Sequence, residues 1–264
     1  MKVSGVLAIV QVRLGSTRLP RKALLEIAGR PMVEHVVTRA RAVPGVDRVV
    51  LATTASPDDD ALADFAGTAG VPCVRGSVDD VLDRFRAVLL AHPAAAILRI
   101  TGDCPLLDPA VSGLVVDRFL RAAPPCDYVS NVEPRATYPD GLDTEVFSAD
   151  ALERAWRHAR LPSHREHVTP YIRTAEGFRR ESVEHDQDLS AHRWTVDEPR
   201  DLEFVRAVYE ALAPDGDRVF GMTEVLELLR RRPALSSLNA GIRRNAGYER
   251  SVLADRAAIE RRSP

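Results

Sequence analysis

Three cysteines in 264 residues, Cys73, Cys104 and Cys126, are too few and too widely spaced for a disulfide framework, a zinc site or a redox motif. Reduced thiols in a cytoplasmic protein are the expectation. Charge of one sign is missing as well: 36 basic residues stand against 38 acidic ones, a formal net charge of −2. That balance removes any bulk electrostatic case for binding nucleic acid or an anionic membrane surface. No apolar run approaches membrane-spanning length. The N-terminus starts on a core strand without a basic segment and cleavable apolar stretch, so no export signal is expected. Internal repeats and low-complexity linkers are absent too. The length suffices for one large α/β domain, or for one domain with a small addition.

What is present is alternation. Val6–Val10 is a continuous apolar strand, followed by an amphipathic segment from Pro31 to Ala42 and a β-branched strand over Arg48–Thr53. Ser56-Pro57-Asp58-Asp59 opens a helix, with Ser at the N-cap and Pro in the first turn. Cys73–Arg75 reads as a third strand, Ser77-Val-Asp-Asp80 caps the next helix, and Ala96–Ile100 is a fourth strand before a helix at Asp108-Pro109. Repeated β-α units with continuous apolar strands predict a parallel sheet covered on both faces, an α/β fold. From about Cys126 the rhythm breaks. Asp127–Asn131 reads as a strand, Ala149–His158 and Ser163–Arg173 as helices, and Phe178–Val183 as a strand. The second of those helices is opened by the capping box Ser163-His-Arg-Glu166. Helices are also predicted from Glu198-Pro199 through Leu212 and over Val219–Leu229, with a polar tail from about Ala240 that is irregular or wrapped over the body.

The stretch Gln11-Val-Arg-Leu-Gly15-Ser-Thr-Arg18-Leu-Pro-Arg-Lys22 leaves the end of the first strand, where open α/β sheets place ligands. The backbone N–H groups of Gly15, Ser16 and Thr17 can turn into one concavity, and Arg13, Arg18 and Lys22 add cationic charge. Such a loop suits a triphosphate, although it lacks the Gly-Lys-Ser/Thr of a Walker loop. The fourth strand ends in Thr101-Gly102-Asp103, and Arg193-Trp-Thr-Val-Asp197-Glu-Pro199 repeats the arrangement of strand, Asp and Pro-started helix. Two strand-end acids beside a cationic loop form a coherent metal–triphosphate site, because magnesium takes few protein carboxylates and completes its shell with phosphate oxygens and water. Each Asp read alone is as readily a turn or helix cap. His164 and His167 share a helix face at i, i+3, but without a third ligand they read as core-satisfied or solvent-facing. Asp58-Asp59-Asp60 reads as dipole stabilisation of a helix start, and Arg230-Arg231-Arg232 as a solvated helix end.

Together, residues 6–22, Gly76–Arg84, Arg99–Pro105, Tyr138–Phe147, Arg165–Tyr171 and Arg193–Leu202 resemble the spore-coat polysaccharide cytidylyltransferase family, which is related to the CMP-sialic acid and CMP-ketodeoxyoctulosonate synthetases. The resemblance runs from residue 6 to at least 212, with weaker matches at Asn239 and Arg244–Tyr248. Two departures stand out: Arg21 where these relatives usually carry Gly, and Val12 where Ala is usual.

The resemblance implies a Rossmann-like, glycosyltransferase-A-like nucleotidyltransferase fold with a mixed, mostly parallel sheet. It implies a nucleotidyltransferase domain over 1–240, an acceptor-binding and dimerisation insertion at 126–175, and a C-terminal tail at 241–264. It further implies that CTP is the co-substrate, gripped by Arg13, Ser16, Arg18 and Lys22, and that Asp103 and Asp197 hold Mg2+. Thr53, Arg75, Gly76 and Asp79 would close over the nucleoside, although Asp79 also suits a first helical turn. Arg99, Asp140, Asp143, Glu145, Arg165 and His167 would line the side of a small anionic acceptor: a sugar acid, phosphosugar or phosphonate. No side chain stands out as a general base. A homodimer is expected by the same resemblance. The rival readings are a transferase of other base specificity, which typically opens Ala-Gly-Gly, and a catalytically silent nucleotide- or sugar-binding module. A glycosyltransferase would call for Asp-x-Asp at a strand end, where this chain has Gly102-Asp103-Cys104.

Overall fold

The computed structural model describes residues 4–244 and 246–260. Its first half follows the alternation of the sequence: β1 (Val6–Gln11), a two-stranded ribbon of β2 (Glu26–Ile27) and β3 (Arg30–Pro31), α1 (Met32–Arg41), β4 (Arg48–Thr54), α2 (Asp60–Thr68), β5 (Cys73–Gly76), α3 (Val81–Ala91), β6 (Ala96–Thr101) and α4 (Pro109–Arg121). The second half contributes β7 (Tyr128–Ser130), β8 (Glu145–Ser148), α5 (Ala149–His158), α6 (Pro162–His167), α7 (Pro170–Thr174), β9 (Arg180–Ser182), α8 (Pro199–Leu212), α9 (Met222–Arg231) and α10 (Ala246–Glu260).

The main sheet has the order β5-β4-β1-β6-β8-β7-β9. β5, β4, β1 and β6 run parallel, β8 is antiparallel to both β6 and β7, and β9 is parallel to β7. The sheet is therefore mixed and mostly parallel, as the nucleotidyltransferase resemblance implies. β1 is buried on both faces because its side chains alternate between two cores. Val6, Ala8 and Val10 pack with α1, α2 and α4, whereas Leu7 and Ile9 pack with α3 and α5. A third core, around Trp194, Phe204, Val208 and Val225, seats α8 and α9 beside the sheet. β1 lies between β4 and β6, so the chain leaves it toward one side of the sheet first and the other side later. That reversal opens a crevice at the carboxyl ends of β1 and β6. Among the described residues no helix is long and apolar enough to cross a membrane.

Three expectations are corrected. The helix predicted over Ser163–Arg173 is two short helices, broken where Val168 takes φ +70 and the Thr169 N–H donates to the His167 carbonyl at 2.8 Å. This is a γ-turn of the strained hand, and Pro170 has no N–H with which to continue a helix through it. The capping box does not form: Leu161 is the N-cap, Ser163 lies inside the helix, and Glu166 accepts instead from the Ser251 hydroxyl at 2.8 Å. The strand expected before Asp197 does not form, and the stretch makes only an isolated bridge between Arg193 and Asp140. The polar tail, expected to be irregular or wrapped over the body, is wrapped: it forms α10, which packs on α6. Asn245 and residues 261–264 lie outside the described residues.

Candidate functional site

A cavity of about 700 Å³ opens at the crevice. Its walls come from the loop after β1, the end of β6, Asp197, the start of α3, and the facing parts of α6 and α10. The loop is tied down at several points. Val12 N–H donates to Ala52 O at 3.1 Å, and Leu14 N–H donates to the Asp59 carboxylate at 2.7 Å. The Ser16 N–H, expected to face a phosphate, donates to Leu14 O at 2.8 Å because the chain turns tightly there. Among the described residues no hydrogen-bond partner is found for the Gly15 and Thr17 amides. Arg21 sits in the left-handed region at φ +56, the conformation for which Gly is the unstrained residue. Gly102 is required by packing: a Cβ there would lie 2.7 Å from Val12 Cβ and 3.1 Å from Gln11 O. The two carboxyl-terminal strand ends can therefore approach closely, which brings Asp103 to the loop.

Lys22 joins Asp103, just past the end of β6, to Asp197, just before α8, two acids far apart in sequence. Its ammonium donates to Asp103 Oδ2 at 2.9 Å, to Asp197 Oδ1 at 2.8 Å and to Val196 O at 2.7 Å. Burial lowers the pKa of this ammonium, but the two carboxylates outweigh burial and raise it. Burial likewise works against the Asp103 carboxylate, and the Lys22 charge overrides it to bring the carboxyl down to about 2. Arg18 adds a second cation on Asp197 at 3.0 Å.

Behind Asp197 lies a buried network that the sequence reading missed. Arg193 donates Nη2 to Asp197 at 3.2 Å, Nη1 to Asp140 at 2.9 Å, and Nε and Nη2 to Asp201 at 2.9 and 3.0 Å. Asp201 is fully buried, and Asn239 donates to both Asp201 Oδ1 at 3.1 Å and Arg193 O at 2.9 Å. Asn239 was visible as a weak match in the tail, and this contact is its physical content. Buried Arg39 plays a similar part for the segment after Asp103. It donates to Leu107 O at 3.0 Å and Phe220 O at 2.8 Å, and to the Tyr209 hydroxyl, which in turn donates to Pro105 O at 2.8 Å. A lone Arg on an amphipathic helix carries no sequence signal for this.

Of the residues expected to bind ligands, Arg13, Gly15, Ser16, Thr17, Arg18, Lys22, Asp79, Asp103, Arg165, His167 and Asp197 line the cavity. The remainder are placed elsewhere, each for a local reason. Thr53 is fully buried in β4. Arg75 is spent on Thr54 O at 2.9 Å, Ser56 O at 2.7 Å and Asp60 at 2.7 Å. Glu145 is enclosed by Arg99, the Tyr128 hydroxyl at 2.6 Å and the Thr169 hydroxyl at 2.7 Å, so Arg99 and Glu145 satisfy one another. Asp140 is held by Arg193, and Asp143 accepts from Arg244 of the tail at 2.6 Å. Within the cavity wall, Arg165 is engaged by the Asp80 carboxylate that caps α3. His164 packs edge-on against Tyr171, with a pKa lowered chiefly by burial, which fits the structural reading of that histidine.

Among the described residues there is no cluster of three or more His, Cys, Asp or Glu side chains that could hold a metal. Two carboxylates nevertheless converge on one cation, the Lys22 ammonium. That donor set fits magnesium, which needs one or two carboxylates when phosphate oxygens supply the rest.

Comparison with known proteins agrees with this geometry. The cytidylyltransferase family profile matches residues 7–226. The spore coat polysaccharide biosynthesis protein SpsF of Bacillus subtilis is 31% identical over 239 residues, 88% of this chain and 96% of that protein. The 3-deoxy-manno-octulosonate cytidylyltransferase of Maricaulis maris is 43% identical over 122 residues, 46% of each chain. A solved cytidylyltransferase from Leptospira borgpetersenii superposes with a TM-score of 0.81 at 30% identity, covering 92% of this chain and all of that one. Fold, the paired acids Asp103 and Asp197, and the loop lysine thus occur within a match that spans most of the sequence, and the chain belongs to the cytidylyltransferase family.

Proposed function

We propose that this protein transfers CMP from CTP to a small anionic acceptor and releases pyrophosphate. The observation that carries the reading is Lys22 seated between Asp103 and Asp197 at the end of a cationic loop. In-line attack at the α-phosphorus builds charge on the leaving pyrophosphate. Arg13, Arg18 and Lys22 would offset that charge, and the exposed amides of the loop would hold the phosphates in line. Asp103 and Asp197 would hold Mg2+, which when bound supplies further neutralisation of the phosphate charge. The start of α3, with Asp79, would face the nucleoside, and Arg165 and His167 would face the acceptor.

The acceptor class is read from the relatives. One is named for spore coat polysaccharide and another for 3-deoxy-manno-octulosonate, so sugar acids lead, with phosphosugars and phosphonates behind. Residues 126–175 serve in this reading as the acceptor-binding and dimerisation insertion of a cytoplasmic homodimer, supported by family resemblance alone. Calorimetric titration of CTP, UTP, GTP and ATP, with and without magnesium, tests the proposal. Tighter binding of CTP that strengthens with magnesium supports it; selective binding of another nucleotide, or of none, rejects the substrate while leaving the fold.

A further inference from the structure

The C-terminal helix reaches the cavity and meets α6 there. His167, which lines the cavity with 24% of its side chain exposed, has Nε2 3.0 Å from the Ser251 hydroxyl oxygen. Ser251 has a single hydroxyl proton. It is donated to Glu166 Oε2 at 2.8 Å, or in the weaker alternative to Gly247 O at 3.3 Å. The imidazole nitrogen at 3.0 Å is the third candidate acceptor, but the Glu166 carboxylate is nearer and carries the charge, so it takes the proton and Nε2 is the donor in the His167–Ser251 bond. A neutral imidazole with Nε2–H carries a bare lone pair on Nδ1, and among the described residues Nδ1 has no partner.

The surroundings keep the ring neutral. Burial is the largest effect and lowers its pKa; Arg99 from β6 and Arg173 from α7 lower it further, while Glu166 from α6 and Glu145 from β8 oppose them. Tyr248 from α10 packs its ring edge-on at 5.1 Å, and the γ-turn at Val168 closes the backbone immediately after His167. The imidazole is thus held from both sides, by α10 and by the turn that ends α6.

We propose that His167 is the general base of the reaction, accepting the acceptor's hydroxyl proton at Nδ1 in a tautomer imposed by Ser251. The inference rests on the nucleotidyl-transfer reading and narrows it. The hydroxyl oxygen forms the bond to the α-phosphorus, the bond from that phosphorus to the bridging oxygen breaks, pyrophosphate leaves with that electron pair, and the hydroxyl proton moves to Nδ1. A phosphate or phosphonate acceptor brings an oxygen that is already ionised and has no proton to lose. A cavity that supplies a bare imidazole nitrogen is therefore built for a hydroxyl nucleophile, as a sugar acid provides.

Two measurements on the full chain test this. The first needs no acceptor: the imidazole nitrogens of His167 are observed by NMR in the nucleotide-free protein. Nε2–H with unprotonated Nδ1 is expected at neutral pH, with loss of that preference in Ser251→Ala; a protonated Nδ1 in the parent overturns the proposal. The second follows pyrophosphate release from CTP with 3-deoxy-manno-octulosonate and with 2-aminoethylphosphonate, from about pH 5 to about pH 9. With the sugar acid, kcat should fall on the acid side below the ordinary histidine value of 6.5. His167→Gln should abolish that limb and lower kcat by roughly 10²–10⁴-fold, with the Kd for CTP unchanged. An unaltered acid limb in His167→Gln, or turnover of the phosphonate alone, overturns the proposal. Failure to bind CTP rejects the nucleotidyl reading instead and leaves the tautomer result standing on its own.

Discussion

The carboxylate of Asp59 accepts a hydrogen bond from the Leu14 N–H at 2.7 Å and another from the Thr54 hydroxyl, so a buried acid of the turn before α2 anchors the loop that leaves β1. Removing it strands two buried donors. Asp59→Ala should therefore cost about 2 kcal/mol of stability, the penalty of leaving buried groups unpaired. It should also weaken CTP binding by about tenfold, because the loop loses its fixed geometry. Urea unfolding and CTP calorimetry check the two effects separately. Lost stability with unchanged CTP affinity would show that Asp59 supports the fold and not the loop.

Arg21 is the family departure with a visible backbone consequence. At φ +56 an L-side chain carries a steric cost of about 1–2 kcal/mol that Gly avoids. Gly gives back part of that through its greater freedom in the unfolded chain, about 0.5–1 kcal/mol. Arg21→Gly should thus stabilise the protein by roughly 0.5–1 kcal/mol, read as a higher Tm. Arg21 does not line the cavity, so CTP affinity should not change. A substantial drop in affinity would make the side chain a phosphate contact that compensates for the strain.

These two positions also show what could be read from the sequence and what could not. The alternation of strands and helices was legible because it is written in local periodicity, and the loop and the Gly-Asp end of β6 because they are short motifs, whereas the strand expected before Asp197 is extended chain with one isolated bridge. The partners of Asp59, and the hold of Arg193 on Asp197, were not legible. Asp59 sits in a run of three Asp residues whose local explanation is the helix dipole, yet its partner Leu14 lies 45 residues earlier. Arg75 and Glu145 were expected near the ligands, but their polar groups are consumed by Ser56, Asp60, Tyr128 and Arg99, contacts that only the fold creates. The tail has no strong apolar stripe. Its helix is seen through what it docks on, with Ser251 and Tyr248 meeting His167.

Arg193 ties Asp140 to Asp197 through one buried guanidinium, with fully buried Asp201 as its bidentate partner. Arg193→Met keeps the apolar stem and deletes the charge. Because it leaves buried carboxylates uncompensated, a loss of about 3–5 kcal/mol is expected by chemical denaturation. The double change Arg193→Met with Asp201→Leu should recover much of that loss, since replacing both members of a buried pair is far less costly than removing one. Recovery of stability without recovery of turnover would separate the structural role of Arg193 from its hold on Asp140 and Asp197. If the single variant unfolds at the parent's denaturant midpoint, the network contributes nothing to stability.

Lys22 occupies the point between Asp103 and Asp197 where a divalent cation would also be drawn, and this gives the candidate site a test that needs no acceptor. With the ammonium gone, the two carboxylates face one another without a cation between them, while Arg18 and Arg193 remain on Asp197 alone. In nucleotide-free protein, Lys22→Ala should lower Tm, and added magnesium should raise the Tm of the variant more than that of the parent, because in the parent the ammonium competes for the same oxygens. Asp103→Asn removes one of the two carboxylates and should abolish the magnesium response in either background. For turnover the two substitutions act in the same direction. In the proposed reaction Lys22→Ala would lose the charge that offsets the leaving pyrophosphate and Asp103→Asn an oxygen that would hold the metal, and each should lower kcat by at least about 10²-fold with an unchanged far-ultraviolet circular dichroism spectrum. Near-parental turnover in a folded Lys22→Ala protein would reduce the lysine to a structural counter-ion, and the same result in Asp103→Asn would remove the metal from the proposal.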